Sequence, residues 1–198
     1  MTSRNREPFR CLPIAGESFW EPGQRDSRRT AVREAAYIRR TKFKQGDAIH
    51  DFAWRGEDLF MISPILPDDA PSWTHRPYLR WRLADQVVER GTAKDAIRAW
   101  HICADLPVGL SRGRWGDEAE AIVREVLPSH AVAEICGHVP IDHPPHMHIL
   151  VAARAPGARG YGRPLAGLGD LLQDELRERW LAWCGAAGSE PTNMRLAA

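Results

Sequence analysis

No stretch of this 198-residue chain approaches the roughly 20 consecutive apolar residues that a membrane-spanning helix needs. Met1 to Arg10 is polar and basic with no apolar segment behind it, so a secretory leader is not expected either. A soluble, cytoplasmic protein is the expectation. Cysteine is scarce. Cys11, Cys103, Cys136 and Cys184 are far apart, form no Cys-x-x-Cys, and three of them lie in apolar surroundings. Buried free thiols are expected, which argues against disulfides, a cysteine zinc site and redox chemistry. Internal repeats are missing, and the length fits one domain, or one domain with decorated ends. Neither sign of charge dominates: the net charge is +1, too small to mark the whole chain as nucleic-acid binding. That balance hides an asymmetry, with 11 Lys or Arg against 5 acidic residues in positions 1–45 and 16 against 21 in the remainder. The basic end is where a polyanion would dock.

What the chain does have is histidine in a pattern. His146-Met147-His148 runs directly into the apolar stretch Ile149 to Ala153, and His138 lies just upstream. On a strand, successive side chains alternate faces, so His146 and His148 share one side of a sheet. Val132 to Val139 also reads as a strand, and Pro140 to Pro145, with three prolines and Asp142, reads as the turn between them. Cross-strand Cβ atoms in such a hairpin lie roughly 4.5–5.5 Å apart, which brings His138 toward the pair. A chain with eight histidines carries some His-x-His pairs by chance; the third histidine and the hairpin are what turn this one into a predicted three-histidine metal site. His143, in the turn, competes with His138 for the third position.

Other elements follow from spacing. A short strand is expected at Phe9 to Ile14, and Thr30 to Phe43 reads as a helix with Ala31, Ala35 and Ile38 on an apolar face. Arg33, Tyr37, Arg40 and Lys44 recur on a different face, so a tyrosine is framed by cations. His50 to Trp54 and Leu59 to Leu66 flank Arg55-Gly56-Glu57-Asp58 as an expected second hairpin. Arg76 to Arg98 is helical, interrupted near Gly91; Trp100 to Leu106 is a strand; Glu118 to Leu127 is a helix; the glycine-rich 155–169 segment is a loop; and Leu168, Leu172, Leu176 and Trp180 mark a C-terminal amphipathic helix. The class is α+β, a central antiparallel sheet carrying the histidines with helices packed mainly on one face.

Three neutral imidazoles fill only part of an ion's coordination sphere and leave a position for a substrate oxygen, for which a phosphodiester is the natural occupant. A divalent metal is the expected cofactor, and imidazoles by themselves suit Mn²⁺, Co²⁺ or Zn²⁺ better than Mg²⁺. Tyr37 would be the nucleophile. Phenol ionises near pH 10 in water, so cations at Arg33, Arg40 and Lys44 would help it and gather a DNA backbone.

These residues carry a resemblance. Ser27-Arg28-Arg29-Thr30-Ala31-Val32-Arg33-Glu34-Ala35-Ala36-Tyr37-Ile38 resembles the N-terminal tyrosine motif of the MobA/MobL family of plasmid mobilisation relaxases, and Gly137-His138 through His146-Met147-His148-Ile149-Leu150 resembles their three-histidine motif. Further similarity runs through Ile65 to Pro71, Ala104-Asp105-Leu106-Pro107 and Trp180 to Trp183, covering residues 25–185. Members of that family often have an acidic residue on the strand where this chain offers His101. The resemblance implies a relaxase of the His-hydrophobic-His (HUH) endonuclease type, with a basic irregular segment at 1–24, a catalytic domain at 25–185 and a frayed tail at 186–198. It further implies that the protein nicks single-stranded DNA at an origin of transfer through a 5′-phosphotyrosine, with accessory mobilisation proteins as partners. Tyr37 would be the nucleophile, His138, His146 and His148 the metal ligands, and Arg29, Arg33, Arg40 and Lys44 the DNA contacts. The alternatives are a phosphodiesterase using an activated water, an inactive single-stranded DNA-binding module, or a nucleophile at Tyr161, which lies after the histidine pair. The resemblance points to Mn²⁺ or Mg²⁺ as the metal in use; because imidazole favours Mn²⁺ over Mg²⁺, strand nicking measured with each ion should be at least as fast with Mn²⁺.

Overall fold

The computed structural model describes residues 7–15, 30–90 and 97–187. Its centre is a five-stranded sheet of β1 (Phe9–Ile14), β4 (Leu59–Ile65), β5 (Ala99–Asp105), β6 (Ala133–His138) and β7 (His146–Ala152) in the order β1-β5-β7-β6-β4. Every neighbouring pair is antiparallel. The expected histidine hairpin is its middle: β6 and β7 pair with His138 opposite His146 and Cys136 opposite His148. Gly137 lies between those two positions where Phe60 crosses so closely that no Cβ fits.

Strand β7 is buried at all seven positions, which happens only when both faces of a sheet are covered. Met147, Ile149 and Val151 pack in one core with Trp115, Ala119 and Val123 of α3 (Arg112–Val126) and with Leu172, Leu176 and Trp180 of the C-terminal helix. Leu150 and Ala152 join Ala31, Val32, Ala35 and Ile38 of α1 (Ala31–Ile38) and Trp81 and Ala84 of α2 (Pro77–Arg90) in a second core. The class and the antiparallel sheet agree with expectation, but the helices are shared between the two faces. The C-terminal helix comprises α4 (Leu168–Leu171), a π-helical turn (Leu172–Leu176) and α5 (Arg177–Ala187), and the expected Leu168-Leu172-Leu176-Trp180 stripe is its buried face.

Four expectations need correction. Helix α1 stops at Ile38, and Arg40 takes a left-handed turn (φ 50°) that sends the chain into β2 (Lys42–Gln45). Lys44 is therefore on a strand and does not share a helical face with Tyr37. Strand β2 pairs with β3 (Ala48–Asp51), Ala53–Asp58 coils into 3₁₀ turns, and β4 pairs with distant β6, so the second hairpin is not formed as expected. The 155–169 segment holds a β8 (Arg154–Gly157) and β9 (Gly160–Pro164) hairpin, which buries Tyr161 against Trp73 at 5.0 Å between ring centroids. Helix α3 also starts earlier than expected, where the Ser111 side chain accepts from the Arg114 N–H.

Helix α1 is short, at eight residues, and its position comes from tertiary contacts. At its N-terminus Thr30 accepts from the Arg33 N–H at 3.1 Å, and the Asp85 carboxylate of α2 accepts from the Ala31 N–H at 2.8 Å and the Val32 N–H at 3.1 Å. Burial raises the Asp85 pKa to about 6 in spite of these bonds. Beyond the C-terminus, Arg39 pairs with Glu134 of β6 at 2.9 Å, and Arg80 of α2 grips the other oxygen of the same fully buried carboxylate. Removing Asp85 takes a partner from the Ala31 and Val32 N–H groups, from the Gln45 amide and from the mostly buried Arg98 guanidinium, so Asp85→Ala should cost about 3 kcal/mol or more in urea unfolding, whereas Thr30→Ala should cost about 1 kcal/mol.

Candidate active site

The face of the sheet covered by α1 collects the polar residues. Because side chains alternate, His146 and His148 of β7, His138, Cys136 and Glu134 of β6, and His101, Cys103 and Asp105 of β5 all point to this side, with Cys103 opposite His148 and Asp105 opposite His146. Ring centroids of His138, His146 and His148 are 4.8–5.4 Å apart. His143, the rival third ligand, is exposed in the turn beside Asp142.

Hydrogen bonds assign the ring nitrogens. On His146, Nδ1–H donates to the Pro144 carbonyl at 2.9 Å, which leaves Nε2 as the unprotonated nitrogen. On His148 the assignment runs through a chain: His101 Nδ1–H donates to Glu34 Oε2 at 3.1 Å, and His148 Nδ1–H donates to His101 Nε2 at 2.9 Å. His148 Nε2 is then a bare lone pair, buried and without a hydrogen-bond partner among the described residues. A metal ligand is held in this way, with one imidazole nitrogen tied by an outer hydrogen bond and the other presented to the ion. One ligand atom each from Cys103, His146 and His148 also lies within 4.8 Å of the others. The donor set therefore fits a divalent metal.

His138 is held differently. Its Nε2–H donates to the Ile38 carbonyl at 2.7 Å and its Nδ1 accepts from Arg40 Nη2 at 2.8 Å. Burial, followed by the adjacent guanidinium, lowers its pKa to about 3. Burial and then the neighbouring imidazoles, His101 first, push His148 well below the usual histidine range.

Tyr37, in the last turn of α1, is partly exposed and stands over this cluster. Its ring is 5.3 Å from His148, 6.4 Å from His101 and 5.4 Å from Phe52 between centroids, and the Arg40 guanidinium is 4.7 Å from its centre. Arg40 is almost fully buried, with two bonds to Asp58 at 2.8 and 2.9 Å and one to the Tyr37 carbonyl at 3.0 Å. Desolvation opposes its charge, but Asp58 and Tyr37 outweigh it and raise its pKa. Arg33 is partly exposed, pairs with Glu34 at 3.0 Å and lies over Phe52; Lys44 is exposed on β2; Arg29 lies outside the described residues. Tyr161 is in the β8–β9 hairpin, buried with its hydroxyl unpartnered among the described residues, and burial raises its pKa. The structure thus brings Tyr37 and the histidines named from sequence onto one face, together with Glu34, Asp58 and Cys103, which the sequence did not single out for this place. The sign available for Glu34 was its spacing of three residues from Tyr37, one helical turn away. Nothing local marks Cys103 or Asp58.

The model of the MobA/MobL family matches residues 29–167. No curated protein matches the sequence. A solved structure described as the molecular basis of vancomycin resistance transfer in Staphylococcus aureus has the same fold, with a TM-score of 0.67 and 16% identity over 80% of this chain and 84% of that one.

Buried neutral histidines link this site to stability. Each binds a proton in the unfolded chain below about pH 6.5 but resists it when folded, so the unfolded state holds more protons and stability is lost as pH falls through that value. In the metal-free protein the urea midpoint should fall between pH 7 and pH 5, and His138→Gln should flatten that dependence. Asp85, whose pKa is raised to about 6, works in the opposite sense, so the variant decides: the same pH dependence in wild type and His138→Gln would show that His138 is not held neutral.

Proposed function

Because the chain belongs to the MobA/MobL family of plasmid mobilisation relaxases, we propose that it nicks one strand of DNA at an origin of transfer and stays joined to it through Tyr37. The observation that carries this reading is the docking of the tyrosine helix on the histidine face, with the Tyr37 ring 5.3 Å from His148. A nucleophile and a set of metal donors are needed within one phosphodiester of each other, and two distant parts of the chain supply them.

The Tyr37 hydroxyl attacks phosphorus and displaces the 3′-oxygen of the preceding nucleotide, which leaves as a 3′-hydroxyl with the proton given up by the phenol. One phosphoester forms as one breaks, so the free 3′-hydroxyl reverses the cut without another energy source. Arg40 sets a cation against the tyrosine ring and holds the Tyr37 carbonyl, which fixes both the charge beside the nucleophile and the end of its helix. His146 and His148 would hold the ion, with His138 the third member that the sequence motif implies. When bound, a divalent ion supplies charge stabilisation at a non-bridging phosphate oxygen. Glu34 and His101 keep His148 turned so that Nε2 faces inward. Partly exposed Arg33 and exposed Lys44, with Arg29, would contact the strand's phosphates. Trp54, 75% exposed with the Arg55 guanidinium 5.0 Å from its ring, offers a surface for base stacking. We place this reaction in the cytoplasm, with accessory mobilisation proteins as partners; among the described residues no helix is long and apolar enough to cross a membrane.

Incubation with a labelled single-stranded transfer-origin oligonucleotide and Mn²⁺ should give a covalent protein–DNA adduct on a denaturing gel. Tyr37→Phe should lower its yield by about three orders of magnitude or more, and chelation should abolish it, while Tyr161→Phe should keep it. Cleavage without an adduct would mean attack by water, and retention without cleavage would mean a binding module.

A further inference from the structure

We propose that Cys103 is a metal ligand, and that with His146 and His148 it forms a Cys-His-His centre selective for Zn²⁺ or Co²⁺ over Mg²⁺. The inference rests on reading this face as a metal site, and it replaces the expected third histidine. It also revises the expectation that all four cysteines are inert thiols.

Register makes Cys103 the partner of His148 across β5 and β7, just as His138 is the partner of His146 across β6 and β7. The central strand therefore has a possible third ligand on either side. On the β6 side both nitrogens of His138 are engaged, and one of them faces a guanidinium that Asp58 holds in place by two bonds. Turning His138 to an ion would break both hydrogen bonds and set the cation against Arg40. On the β5 side Cys103 is partly exposed, and its ligand atom is already within 4.8 Å of those of His146 and His148. Bonds of about 2.0–2.3 Å hold tetrahedral donors roughly 3.5 Å apart, so the cluster closes by side-chain movement of about an ångström. The buried, unpartnered Nε2 of His148 is the second sign of a ligand at this place.

Charge favours the same choice. Arg40 is already paired with Asp58 and His101 with Glu34, so a dication on three neutral histidines would bring two further units of positive charge into a mostly buried cluster. A thiolate removes one unit of it, with the thiol proton released to solvent on binding. Thiolate is a soft donor, preferring Zn²⁺ and Co²⁺ to oxygen-seeking Mg²⁺. Three protein ligands leave the fourth position of a tetrahedral ion open for a phosphate oxygen.

Titration of the purified chain with Co²⁺ alone tests this without DNA. The wild type should develop a near-ultraviolet thiolate-to-cobalt charge-transfer band. Cys103→Ser should lose it and bind Co²⁺ at least about a hundredfold more weakly, whereas His138→Ala should keep it. As a check that does not depend on the variants' folding, Zn²⁺ should protect Cys103 of the wild type from alkylation, mapped by peptide mass. Absence of the band in the wild type, its persistence in Cys103→Ser, or unprotected Cys103 at saturating Zn²⁺ would each overturn the assignment. Scoring the Tyr37 adduct on the same preparations separates the two readings. An intact adduct without the thiolate band refutes the Cys103 ligand alone, whereas the band without an adduct refutes the nicking reaction alone.

Discussion

A histidine carried into a fully buried strand must satisfy two ring nitrogens away from water, and the functional face is organised around that requirement. Strand β7 brings His146 and His148 into the interior because both faces of the sheet are covered. An unpaired polar group there costs about 1–3 kcal/mol, so each ring recruits partners. His146 takes a local carbonyl. His148 takes His101, which takes Glu34 on a helix that crosses the sheet. Among the described residues His148 Nε2 is left without a hydrogen-bond partner, and it is the one a ligand would use.

The same economy positions the tyrosine. Two turns of helix have little stability of their own, and α1 is fastened at both ends by buried carboxylates from other elements, Asp85 at the start and Glu134 past the end. Glu34 ties its middle to the histidines. Tyr37 is thus placed by a scaffold of charge-assisted bonds, which hold geometry more tightly than apolar contacts alone.

How much of this could be read from the chain depended on whether the information was local. The β6–β7 hairpin was legible because alternation, prolines and the turn all sit within about twenty residues. The start of α1 was legible from the spacing of Ala31, Ala35 and Ile38. Its end was not, since the left-handed position is Arg40, a residue without the glycine signature of such turns. A nearby pairing of β4 was expected, whereas its partner is β6, from Ile65 opposite Ala133 to Leu59 opposite His138. His101 stood out in sequence as an oddity on its strand, but its meaning required Glu34, which folding brings from a separate helix. Cys103 reads as a small hydrophobe from its neighbours, and only the β5–β7 register shows that it faces the histidines.

The carbonyls at the end of α1 are what His138 and Arg40 grasp: Ile38 by the imidazole and Tyr37 by the guanidinium. A helix finishes with carbonyls that lack partners and carry partial negative charge, a poor neighbour for an incoming phosphate. Here the site's own side chains neutralise that terminus. His138 is in this sense an anchor for the end of the helix that carries Tyr37, and an ion that drew His138 away would loosen that end.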